Sequence, residues 1–139
     1  MILVDDHIAR MALSGRRLPG WGSQTPVLPW TLHLRLLRAL LDSRSFGRLS
    51  QGVQSSLLDA ALSPPPGVLE ILDPRSYTES VARLKIVYGL SLVAAELFAA
   101  AISTGADIHV AQGNVGRSWE AVLADTPVNL YVYARHGLE

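Results

Sequence analysis

The sequence contains no cysteine, which removes disulfides and thiolate zinc sites from consideration and fits a reducing compartment. Lysine is almost missing as well: eleven of the twelve basic residues are Arg, and Lys85 is the exception. Aromatics make up 6% of the chain, so Trp21, Trp30 and Trp119 read as core or loop-packing residues before they read as stacking platforms for bases. No apolar run reaches the roughly 20 residues that span a bilayer. The longest mostly apolar stretch, Leu90 to Ile102, is interrupted by Glu96 and reads as a buried helix. Met1 is followed at once by Ile2-Leu3-Val4 and two Asp, without the basic segment of a secretory signal. A cytoplasmic protein without a membrane is the resulting expectation. Internal repeats and low-complexity segments are also missing.

What is present fits one domain over residues 1–139. A domain of this size buries roughly 68–70% of its unfolded surface, and 49% hydrophobic residues supply the core. The net charge is zero but unevenly spread. Residues 1–50 carry seven Arg against three Asp, while residues 51–139 carry five basic and nine acidic groups. Arg matches phosphate geometry with its planar fork. Arg16, Arg17, Arg35 and Arg38 are therefore candidate RNA contacts, weighed against a plain solvated or inter-helix Arg set.

Ile2-Leu3-Val4 has the short apolar form of a strand buried on both faces in a parallel sheet. Asp5 or Asp6 then caps a helix to about Leu13, stopped by Gly15. Residues 16–29, rich in Gly and Pro, read as a loop. Trp30 to Asp42 carries a helical stripe of Leu34, Leu37 and Leu41. Ser50 opens another helix, which Ser63-Pro64-Pro65-Pro66-Gly67 ends. Val68 to Leu72 reads as the second strand. Ser76 with Glu79 has the form of a capping box for a helix to about Tyr88. Gly89 interrupts, and Ser91 opens a helix ending at Gly105. Asp107 to Ala111 is the third strand and Gln112 to Gly116 a loop. Ser118 to Ala124 is a short helix and Val128 to Tyr133 the last strand. This order implies a three-layer α/β domain, with a mainly parallel central sheet and helices on both faces. Ligands of such sheets bind beyond the strand C-terminal ends, where strand order reverses. Asp5, Asp73 and the Gln112–Gly116 loop lie at that end.

The opening Ile2-Leu3-Val4-Asp5-Asp6-His7 superficially resembles a response-regulator receiver. The midpoint Ser45-Phe46-Gly47-Arg48-Leu49-Ser50-Gln51 lacks that family's phospho-accepting Asp, and its late Lys is missing. A haloacid-dehalogenase reading fails because His7 stands where a second Asp is needed. The chain better resembles the PIN domain, including VapC-type toxins. The resemblance rests on length, element order, the opening strand ending in Asp5, and the stretch from Leu90 through Gly105-Ala106 to Val110. It implies a Mg²⁺- or Mn²⁺-dependent ribonuclease, possibly the toxin of a toxin–antitoxin pair. RNA and an antitoxin-like protein are the implied partners; a separate reading is a purely structural interaction protein, a homodimer that uses its apolar helices. Hard cations want several carboxylate oxygens and water, and the metal would generate the attacking hydroxide.

Carried over residue by residue, Asp5 fills the first acidic position. The second falls near His33 to Arg35, where there is no acid, and Asp42 is about two turns too late. The third falls on Ala94. Glu96 lies two residues on, roughly 200° round a helix. The fourth falls near Asn114, which can offer an amide oxygen but no charge. The resulting candidate metal set is Asp5, Asp6, Glu96 and Asn114, with Asp5 and Glu96 as catalytic candidates. Each also has a plainer reading. Asp5 is a helix cap, Asp6 an acid favoured in a first turn, and Asn114 a turn residue. Glu96 on an apolar helix must be paired or protonated, for instance with Arg83, or lie at a dimer surface. His7, His33, His109 and His136 show no metal-ligand spacing. The alternative function is the same fold with a decayed site, acting as a catalytically inactive RNA- or protein-binding module.

Overall fold

The computed structural model describes residues 1–134; His136 lies outside them. Five strands form one all-parallel sheet in the order β3-β2-β1-β4-β5. They are β1 (Ile2–Val4), β2 (Pro26–Leu28), β3 (Glu70–Ile71), β4 (Asp107–Ala111) and β5 (Leu130–Tyr133). Seven α-helices connect them among the described residues: α1 (Asp6–Leu13), α2 (Trp30–Leu41), α3 (Arg44–Gly47), α4 (Gln51–Leu62), α5 (Thr78–Tyr88), α6 (Leu92–Thr104) and α7 (Trp119–Asp125). The expected α/β class with a parallel sheet is what the chain forms. No described helix is long and apolar enough to cross a membrane.

The chain leaves β1 in one direction through β2 and β3, then returns to the other side of β1 for β4 and β5. Right-handed crossovers in opposite directions put their helices on opposite faces. The reversal opens a crevice between the C-terminal ends of β1 and β4, which is where such sheets bind ligands.

Apolar burial explains the centre. Ile2, Leu3 and Val4 are buried, as are Ile108 and Val110 beside them. Helix α6 is buried continuously from Ala94 to Ala101, and apart from Glu96 that stretch is apolar all round, as in a central helix. Its Ala side chains let it lie close to β1, β4 and α5. Ser91 caps its start, its side chain accepting from the Ala94 N–H. Gly89 and Gly105 end α5 and α6 with φ of 64° and 71°, a left-handed turn that costs glycine no Cβ clash.

Three expectations change. Residues 16–29 are not wholly loop: Pro26–Leu28 is a central strand, with Ile2 opposite Pro26 and Leu3 opposite Val27. A three-residue strand that opens on Pro26 and is followed by Pro29 carries too little pattern to be revealed, and Pro is tolerated at a strand's first position. The expected strand 68–72 narrows to Glu70–Ile71. The capping box at Ser76 does not form: Asp73 caps a 3-10 turn at Pro74–Ser76, and the Ser76 hydroxyl donates to the Asp73 carbonyl. The Asp73–Arg75 ion pair there holds the Asp73 carboxyl down at about 2.

Candidate functional site

Asp5 is the residue immediately after β1, and it is fully buried. Its main-chain carbonyl accepts from Ala9 N–H, the first turn of α1. Its Oδ1 accepts from Ile8 N–H at 2.9 Å, which makes it the helix cap. Its Oδ2 accepts from Ala111 N–H at 2.7 Å and from the Asn114 amide nitrogen at 2.7 Å. The Ala111 bond continues the β1–β4 ladder one step past the end of β1, with a side chain in place of a strand carbonyl. One carboxylate therefore starts a helix, extends a sheet and anchors the loop after β4.

Asn114 closes the last 3-10 turn before Val115. Its amide nitrogen also faces Asp6 Oδ1 at 3.4 Å, and its oxygen faces Arg35 Nη2 at 3.4 Å. The reverse amide orientation would set its oxygen against the Asp5 carboxylate, so the geometry selects this one. Arg35 also lies 3.4 Å from Asp6 Oδ2. Thus a closed polar set of Asp5, Asp6, Asn114 and Arg35 occupies the crevice between β1, β4 and α2. Arg35 lies within the stretch where the resemblance calls for an acid, and there it supplies a cation.

Glu96 belongs elsewhere. It is 5% exposed, and its Oε1 accepts from Thr31 N–H at 2.8 Å, its Oε2 from the Thr31 hydroxyl. Helix α2 begins after Pro29, which has no side chain to cap it. Glu96 supplies that cap from α6, favoured by the positive end of the helix. Tyr77 closes this pocket: the Trp30 N–H donates to its hydroxyl. Burial pushes that hydroxyl up to about 12, and Glu96 beside it acts in the same direction. The Glu96–Arg83 pairing is not formed; Arg83 pairs with Glu79 on α5.

The structure therefore brings Asp5, Asp6 and Asn114 together and leaves Glu96 with Thr31. Among the described residues, no group of three or more His, Cys, Asp or Glu is placed to hold a metal. A Mg²⁺ or Mn²⁺ ion needs a shell of oxygen donors. Here two backbone N–H groups, of Ile8 and Ala111, already occupy the Asp5 oxygens, and the Arg35 guanidinium occupies Asp6. The residues present do not fit the ion.

The four Arg candidates for RNA are mostly occupied. Arg17 donates to the Gly22 and Gln24 carbonyls and lies 5.5 Å from the Trp21 ring. Arg38 pairs with Asp42, Arg35 with Asp6, and Arg16 is also engaged. Sequence reasoning missed a second feature. An apolar groove of about 210 Å³ runs between α1, α2 and α4, lined by Leu13, Leu36, Leu40, Leu57 and Ala61, with Arg10 at its edge. Its signal was the surplus of Leu on α2 and α4 beyond what one buried stripe needs.

The fold has a counterpart in a solved structure. The chain is similar to a protein described as "Crystal structure of PAE2754 from Pyrobaculum aerophilum", with a TM-score of 0.59 and 20% identity, over 99% of this chain and 92% of that one. At that identity the likeness shows a shared fold. No family model matches the chain, and no curated protein matches it.

Proposed function

We propose that this protein is a catalytically inactive PIN-like module that binds a protein partner, of the antitoxin-like kind, in the groove between α1, α2 and α4. One observation carries the inactive half. Two carboxylates, Asp5 and Asp6, meet in the crevice, and the Arg35 guanidinium lies 3.4 Å from Asp6, so a cation stands where a metallonuclease needs a further oxygen ligand. The partner half rests on the groove. Its lining is apolar, Leu57 remains 41% exposed and Leu41 nearby 56% exposed. Arg10 makes no ion pair among the described residues. An amphipathic helix with Leu-type anchors and an acid facing Arg10 matches that chemistry. The contacts of Arg17 and Arg35 within the chain weigh against RNA.

Calorimetric titration of Mn²⁺ into wild type and Asp5→Asn tests the first half. No binding at millimolar Mn²⁺ is the expected result. Binding that Asp5→Asn abolishes would return the metal-dependent ribonuclease reading to first place.

A further inference from the structure

We infer that strand β5 is held in the sheet by a pH-sensitive clasp: His109 on β4, stacked against Tyr131 and Tyr133, lets the strand go when its ring takes up a proton. Strand β5 lies at the end of the sheet with β4 as its neighbour, and none of its four residues is buried. Its packing falls chiefly on β4. Elements with few buried apolar contacts sit at the low end of local stability, so a single contact made or lost at this seam weighs heavily.

His109 supplies that contact from the inner strand. It is buried, and in the strand register it stands between Val4 on β1 and Tyr131 on β5. Its ring lies 4.6 Å from the Tyr131 ring and 5.7 Å from the Tyr133 ring, each at an interplanar angle of 19°. Its Nδ1 lies 2.7 Å from the Tyr133 hydroxyl. In the neutral ring with its hydrogen on Nε2, Nδ1 accepts from that hydroxyl. Protonation puts a hydrogen on both nitrogens. Nδ1 then no longer accepts, the Tyr133 O–H has to turn away, and a charge stands in a site shielded from water.

The surroundings of the ring decide the sign. Burial holds His109 below its ordinary value of 6.5, and Asp107 on the same strand pulls the other way. The Asp107 carboxylate is itself engaged by the Asn129 amide at 3.1 Å. On β1, Val4 is apolar, and Asp5 beyond it accepts from the Ile8 and Ala111 N–H groups. Helices α1 and α6 also pack on β4. On α6 the ionisable group is Glu96, which is turned to Thr31. On α1, Asp6 faces Arg35, while His7 and Arg10 are exposed. Once β5 leaves, water reaches the ring and the proton binds at the ordinary value. The clasp is therefore whole above pH 6.5 and weakens as pH falls from there through the lowered folded value.

The test is amide hydrogen exchange on the full chain at about pH 7.5 and about pH 5, corrected for intrinsic rates. The register turns the Tyr131 and Tyr133 N–H groups toward β4. Those amides are expected to lose protection at the lower pH while Leu97 to Ala101 in α6 keep theirs. His109→Phe retains a stacking ring that cannot take a proton, so its Tyr131 and Tyr133 amides should be equally protected at both pH values. An NMR titration of wild type, which serves even where the variant fails to fold, should find the His109 ring protonating below 6.5. A ring that protonates at or above that value would show that the tyrosine faces hold the cation, and overturns the inference. So does protection that is unchanged between the two pH values, a loss that α6 shares equally, or a loss that His109→Phe retains.

Discussion

At the scale of the residue, Asn114 decides the character of the crevice. Its amide is the neutral bridge that lets Asp5 and Asp6 share a site with a single Arg35. Asn114→Asp would set a third carboxylate 2.7 Å from Asp5 Oδ2, and three carboxylates facing the single Arg35 cannot all ionise without a further cation. Loss of the donor, with an acceptor left facing an acceptor, is expected to cost about 1–3 kcal/mol. Mn²⁺ should restore that stability in the variant and leave wild type unchanged. Thermal melts with and without Mn²⁺ check both halves, and a variant that melts like wild type would show that the bridge carries little. Asp5 itself could be placed from sequence, because a strand followed by an Asp and a helical pattern marks both a cap and a strand end. Its bond to Ala111 could not, because 106 residues separate the partners.

At the scale of the element, α2 and α4 show how much depends on neighbours. Helix α2 starts without a local side-chain cap and takes Glu96 from α6. The proton on Tyr77 belongs to that junction. Its folded pKa, about 12, lies above its ordinary value of 10.0, so the unfolded chain gives up the proton first. Its contribution to stability is complete below pH 10 and declines as pH rises from there toward 12. Tyr77→Phe should flatten the alkaline fall in urea-unfolding stability; an unchanged slope would place that fall on other groups. Helix α4 buries only Ala61, and His33 Nε2 lies 2.7 Å from the Ala61 carbonyl. That bond ties α4 to α2 and keeps the groove shaped. His33→Leu is expected to cost about 1 kcal/mol and to speed amide exchange in 51–62 before it does so in α6. Equal exchange in the two helices would show that α4 is held by other contacts.

At the scale of the molecule, charge and topology part company. The N-terminal excess of Arg suggests a basic surface when counted along the chain. In space, Arg35 and Arg38 face acids, and Arg17 folds onto its own loop. Binding that depends on phosphate neutralisation falls linearly with the logarithm of salt concentration. Fluorescence anisotropy with a single-stranded RNA should therefore show weak binding without a steep salt slope. A slope corresponding to several phosphates would reopen the RNA-binding reading.

The α/β class, the β1–α1 junction, the α6–β4 stretch and the candidacy of Asp5 were all legible in the amino-acid order. Each depends on local periodicity, capping chemistry or glycine at a left-handed turn, and these act over a few residues. Strand β2 was hidden because three residues, the first of them Pro26, are too few to show a period. The partners of Glu96, Asn114 and Arg35 were hidden for a different reason. A buried polar group must be satisfied, but many partners could satisfy it, and folding alone selects which of them arrives. Thr31 reached Glu96 across 65 residues, and Arg35 reached Asn114 across 79. Those two arrivals turned an apparently incomplete acidic site into one closed by its own amide and guanidinium.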